Sequence, residues 1–175
     1  MKTLDLKILE DGKSTGLSLR YGGVLAEAAS ICLDQHKHPI VTHFQVEGFI
    51  NETYDLHRLD VNELSLASFQ DLDEATEYGA MGIAVAIIHE NYKHKVKRSW
   101  KGTRFDFWVG DGGGGLPFQN KLRLEVSGDL EGTDSEIKAR LNQKIARLEL
   151  SPVQNLPAIA IVVEFSRPKS LTGQK

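Results

Sequence analysis

The chain contains a single cysteine, Cys32, in 175 residues, which excludes an internal disulfide and any multi-cysteine zinc site. It lies in the apolar-rich run "VLAEAASICL", the setting of a buried structural thiol rather than a nucleophile. There is no apolar run of membrane-spanning length, and the opening "MKTLDLKILEDGK" lacks the hydrophobic stretch of a signal peptide. The expected location is therefore cytoplasmic, with no membrane. An excess of one charge is lacking too. A formal net charge of −3 gives no global attraction to nucleic acid, so such binding would need a local basic patch. No internal repeat and no dividing linker is visible. What is present is ordinary for a globular protein, at 41% hydrophobic and 26% charged residues, and the length fits one domain over 1–175.

Periodicity places the elements. Residues 1–19 are polar with scattered leucines and read as an edge strand or a loose arm. Val24, Leu25, Ala28, Ile31 and Cys32 recur at helical spacing, predicting a helix over 21–36 that stops near Pro39. "IVTHFQVEGFI" alternates as a strand with Ile40, Thr42, Phe44 and Val46 on one side, and "TYDLHRLDV" is its expected partner. Asp71 or Asp73 caps a long helix to about Asn91, striped by Tyr78, Met81, Val85 and Ile88. "KHKVKRSW", 104–109 and 121–127 read as three strands, the last two joined by "GDGGGGLPFQN". Thr133 and Glu136 have capping-box spacing and open a helix with Ile137, Leu141, Ile145 and Leu148 on one face. "AIAIVVEF", 158–165, reads as a strand covered on both faces, and 166–175 as a loose tail.

The chemistry concentrates in "RFDFWVG" and "KLRLEVSG", two strands with a carboxylate in mid-strand. With Phe105, Phe107 and Val109 on the face of Leu122, Leu124 and Val126, Asp106 and Glu125 share the opposite face. Two such carboxylates repel unless a cation sits between them, one is protonated, or basic groups compensate. A hard ion such as Mg²⁺ suits their oxygens. The competing reading is structural ion pairing: Asp106 with Arg104 or Arg123, and Glu125 with Arg123 or Lys121, at roughly 0.2–1 kcal/mol per cross-strand pair. Just upstream, "NYKHKVKRSWKGTR" gathers Lys93, Lys95, Lys97, Arg98, Lys101 and Arg104 with Tyr92 and Trp100 interleaved. It is either a candidate phosphate-backbone surface or a solvated basic strand. "GDGGGG" lacks the Gly-Lys-Ser/Thr ending of a phosphate loop. The histidines of "HKH" at 36–38, with His43, His89 and His94, read as helix-end groups rather than metal ligands.

An acid on a first helix, an Asp in the second core strand and a Glu in the third resemble the PD-(D/E)XK nuclease pattern, whose core order is αβββαβ. Residues 73–165 resemble that core, with 1–72 as an N-terminal αβ extension. "FDFWVG", "RLEVSG" and "IAIVVEF" also resemble a group of uncharacterised bacterial proteins of this size. The implied fold is an α/β mixed sheet flanked by helices, restriction-endonuclease-like in its core. The implied activity is Mg²⁺-dependent hydrolysis of nucleic-acid phosphodiester bonds, with Asp106 and Glu125 on the metal and Glu77, in preference to Glu74, as the helical acid. The chain departs from the pattern at Ser127, where the motif has a lysine that orients water and stabilises phosphate charge. Lys144 from the following helix, Arg140, Lys121 or Arg123 would have to replace it. For Lys144 the alternative is a chain snorkelling at the rim of an apolar contact. Loss of that lysine also admits a non-catalytic module that keeps the fold and binds or assembles with a protein partner.

Overall fold

The computed structural model of the protein describes residues 2–112 and 121–175. Among these, eight strands form one mixed sheet in the order β1-β3-β2-β8-β7-β6-β5-β4. They are β1 Lys2–Asp5, β2 Val41–Gly48, β3 Glu52–His57, β4 Lys95–Arg98, β5 Phe107–Gly110, β6 Leu122–Asp129, β7 Ala158–Glu164 and β8 Lys169–Gln174. The helices are α1 Gly12–Thr15, α2 Leu19–Gln35, α3 Glu63–Ser68, α4 Leu72–Tyr92 and α5 Asp134–Glu149, with a 3₁₀ turn at Leu6–Glu10. The α/β class expected from the sequence is what the chain adopts.

One face of the sheet carries α4, which packs against β6 and β7 and is itself covered by α2. Small residues set this spacing: a Cβ on Gly79 would lie 2.9 Å from Ala29 backbone, and one on Gly82 2.8 Å from the Leu25 carbonyl. The helix backbones can therefore approach closely, and the aliphatic side chains of α4 between them are almost fully buried. A buried Ile or Val of this kind contributes roughly 1.5–3 kcal/mol. The other face carries α5, whose Leu148 joins Trp108, Ala158 and Ala160 in a second apolar cluster, with Leu141 and Ile145 beside it. Strand alternation assigns the faces: Leu124, Val126, Ile159, Ile161 and Val163 turn to the α4 side, and Ala158 and Ala160 to the α5 side.

The N-terminal residues do form an edge strand, with Lys2–Asp5 parallel to β3. β2 and β3 pair antiparallel as expected, but Ile40 precedes the strand and is 42% exposed. Asp71 is the cap of α4, accepting from the amides of Asp73 and Glu74, and the Thr133–Glu136 capping box is present. Two expectations fail. Residues 169–174 are no loose tail: β8 sits between β7 and β2 and joins the two halves of the sheet, hidden at sequence level by its Gly and Lys content. β5 begins only at Phe107, because Arg104 is left-handed (φ 66°) and turns Phe105 into the α5-side cluster instead of the row of Phe107 and Val109. The expected glycine-rich connection falls largely on 113–120, outside the described residues.

Candidate active site

β6 is longer than its neighbour. The ladder with β5 ends at Phe107↔Leu124, while β6 runs on to Asp129. Beyond that point the sheet opens into a cleft of about 690 Å³ between the start of α4 and the inner edge of α5. Its lining includes Asp73, Thr76 and Glu77 from α4, Asp106, Glu125 and Ser127 from the strands, and Arg140, Lys144 and Arg147 from α5. Gly128 lets α4 close on β6 here, since a Cβ at that position would lie 2.5 Å from the Thr76 carbonyl.

Asp106 lies one residue before β5, past the last ladder pair, and lines the cleft beside Glu125. Its Oδ2 accepts the amide of Val126 at 2.8 Å, and its own amide donates to the Leu124 carbonyl at 2.9 Å. Arg98 lies 3.1 Å from Oδ1 and also donates to the Asp106 carbonyl. The side chain of Glu125 is 3% exposed. Lys144 Nζ reaches its Oε1 at 2.8 Å, and Arg147 lies 3.9 Å from the same oxygen. Burial, with the charge of Asp106 added, pushes the Glu125 carboxyl up to about 7 against the opposing pull of Lys144. The site thus joins an acid poised near neutrality to a less buried one, the kind of pairing found at functional clefts.

All four residues singled out from the sequence, Asp106, Glu125, Glu77 and Lys144, line this cleft. Glu74 does not appear in the lining, and Asp73 does. The expected ion pairs are corrected: Asp106 meets Arg98 rather than Arg104 or Arg123, and Glu125 meets Lys144 and Arg147 rather than Arg123 or Lys121. Arg123 is buried on the α5 side, where it donates to the Leu148 and Leu156 carbonyls and ties β6 to the end of α5. Lys121 pairs with Asp111 at 3.3 Å and Arg140 with Asp129 at 3.0 Å. Arg147 escaped the sequence reading, although it follows Arg140 and Lys144 at helical spacing along one edge of α5. His36 Nε2 meets the Leu130 carbonyl and His38 Nε2 the Phe165 carbonyl, so both act as structural groups.

The basic segment leads into the cleft. Lys93 ends α4 and pairs with Glu90, Lys95, Lys97 and Arg98 form the edge strand β4, and Lys101 and Arg104 sit exposed on the following turn. Among the described residues, no group of three or more His, Cys, Asp or Glu is placed to hold a metal ion, and no helix is long and apolar enough to cross a membrane. Compared with known proteins, the chain matches no family model, no curated protein and no solved structure.

Proposed function

We propose that the chain is a metal-dependent nuclease of the PD-(D/E)XK type, acting on phosphodiester bonds of nucleic acid. The observation that carries this reading is the meeting of Lys144 with Glu125 at 2.8 Å, beside Asp106. A lysine from α5 stands where the motif strand offers only Ser127. The order helix, three strands, helix, strand from α4 to β7 supports the same reading.

Asp106 and Glu125 fit Mg²⁺ as a two-carboxylate set, since that ion keeps several waters and takes its remaining ligands from substrate phosphates. Both cations near Glu125 meet Oε1, which leaves the lone pairs of Oε2 for a further ligand. When bound, the ion supplies charge neutralisation and an acidified water. The chain's own groups do the rest. Glu125 and Asp106 hold negative charge at the centre of the cleft. Lys144 and Arg147 offer positive charge to phosphate oxygens as charge builds on them. Glu77 presents a further acceptor from the α4 wall.

One observation favours a second reading. Lys144 and Arg98 already neutralise the two carboxylates internally, as in a non-catalytic module that keeps the fold for binding or assembly. Cleavage of DNA and RNA with Mg²⁺ and Mn²⁺ separates the two. The nuclease reading expects cleavage by wild type, little change in Ser127→Lys and loss in Glu125→Ala. Inert wild type, with or without rescue by Ser127→Lys, gives the chain to the module. Equal cutting by Glu125→Ala removes this site from the activity.

A further inference from the structure

A second cavity, about 270 Å³, opens on the other side of the two carboxylates. It shares Asp106, Glu125 and Arg147 with the first, and its far wall is the turn from Arg98 to Phe105. That turn is pinned. Thr103 Oγ1 bonds the Ser99 hydroxyl at 2.9 Å and the Trp100 carbonyl at 3.0 Å, and Ser151 donates to the Thr103 carbonyl at 2.6 Å. On this fixed turn Trp100 is 62% exposed. Its ring rests on Trp108 with centroids 5.6 Å apart, and Trp108 in turn meets Phe105 edge-on at 4.7 Å. An indole so supported has little freedom left to lose on binding. Its exposed face leaves a large apolar surface in water that a stacked base would cover. Around it stand Arg98, Lys101, Arg104 and Arg147.

The geometry points to a single-stranded nucleic-acid subsite, in which Trp100 stacks an unpaired base and Lys101, Arg104 and Arg147 take the adjoining phosphates. A fixed aromatic face beside a cationic groove is what sequence-tolerant strand binding requires. A duplex keeps its base faces stacked inside and offers nothing to the indole. The subsite names the substrate class of the proposed nuclease and rests on that reading only for what happens at the carboxylates. Binding at the turn needs no cleavage.

The test uses the two tryptophans. Trp108→Phe leaves Trp100 as the only reporter, and Trp100→Phe leaves the buried one. Both are titrated in EDTA with single-stranded oligothymidylate and with a duplex of equal length. Expected are saturable quenching of Trp108→Phe by the single strand, weakening as salt rises, a much smaller response to the duplex, and none in Trp100→Phe. If Trp108→Phe does not fold, the loss of wild-type quenching in Trp100→Phe carries the same information. Trp100→Ala should weaken single-strand affinity roughly 5- to 150-fold. Arg104→Gly, which suits the left-handed backbone, should weaken it and flatten the salt dependence. Absence of quenching, equal response to duplex, or unchanged affinity in Trp100→Ala overturns the subsite and makes the turn a protein-facing surface. Single-strand binding through Trp100 without cleavage keeps the subsite and sinks the nuclease. Duplex cleavage indifferent to Trp100 does the reverse.

Discussion

The carboxylate of Asp106 accepts the main-chain amide of Val126 at 2.8 Å, one residue past Glu125. The acid takes over the strand ladder where β5 no longer reaches, and it holds its charge next to the buried Glu125. The two roles separate by substitution. Asn at 106 retains an acceptor for the amide and loses the charge. It should leave folding nearly intact while abolishing the heat of Mn²⁺ or Mg²⁺ binding measured by calorimetry. Ala should in addition strand the amide, at a cost of about 1–3 kcal/mol in denaturant unfolding. Equal heats from wild type and Asp106→Asn would remove this residue from any metal site.

Lys144 sits 18% exposed against a nearly buried partner. Lys144→Ala leaves Glu125 with only the more distant Arg147, so the carboxyl should rise further and accept a proton rather than remain an unpaired charge. Removing one partner of a buried pair ordinarily costs about 3–5 kcal/mol, and uptake of a proton keeps the loss at or below that. Cleavage by the folded variant should fall by about 10²–10³ in rate, the usual effect of removing one stabiliser of transition-state charge. An unchanged rate in the folded variant would make Lys144 a structural cation.

Gly128→Ala tests how the cleft is built. The added methyl would lie 2.8 Å from Thr76 Cγ2 and 2.5 Å from the Thr76 carbonyl, so α4 must move off β6. Overpacking of this kind costs about 1–3 kcal/mol. Thermal unfolding should report the loss, and a wild-type melting curve would mean that the α4 wall carrying Glu77 is looser than this contact implies.

Part of this site was legible from alternation, which sets Glu125 within β6 on the face opposite Leu124 and Val126, whereas Asp106 lies just outside β5 and owes its place to the turn before it. The reach of Lys144 followed from its angle on a helix whose start is fixed by the Thr133 box. Other features were not legible. Arg98 as the partner of Asp106 depends on the left-handed Arg104 and the turn it creates, and non-glycine residues rarely adopt that conformation. β8 depends on pairing with β2, more than a hundred residues away in sequence, and no local pattern in "KSLTGQ" marks it. The burial of Arg123 under α5 was equally hidden, because its carbonyl partners are Leu148 in the last turn of α5 and Leu156 in the irregular backbone that follows.

The raised carboxyl of Glu125 sets a pH dependence with a definite sign. Its ordinary value is 4.5 and its folded value about 7, so between those limits the folded chain holds a proton that the unfolded chain has released. The unfolded state then binds fewer protons, and stability must fall as pH rises through this window. The full loss corresponding to that rise is about 3–4 kcal/mol. Asp11, Asp134 and Glu136 are held below their ordinary values by hydrogen bonds and nearby cations, and their contributions disappear at lower pH, as acid protonates them. The two windows do not overlap. Denaturant unfolding in EDTA at pH 5, 6, 7 and 8 should therefore show a decline for wild type, and Glu125→Gln, which cannot ionise, should lack that component. Asp106→Asn should shift the decline to lower pH by removing the neighbouring charge that helps raise Glu125. A wild-type profile that matches Glu125→Gln across this range would mean that Lys144 holds the carboxylate ionised throughout, and that the cleft carries a permanent ion pair rather than an acid near its titration point.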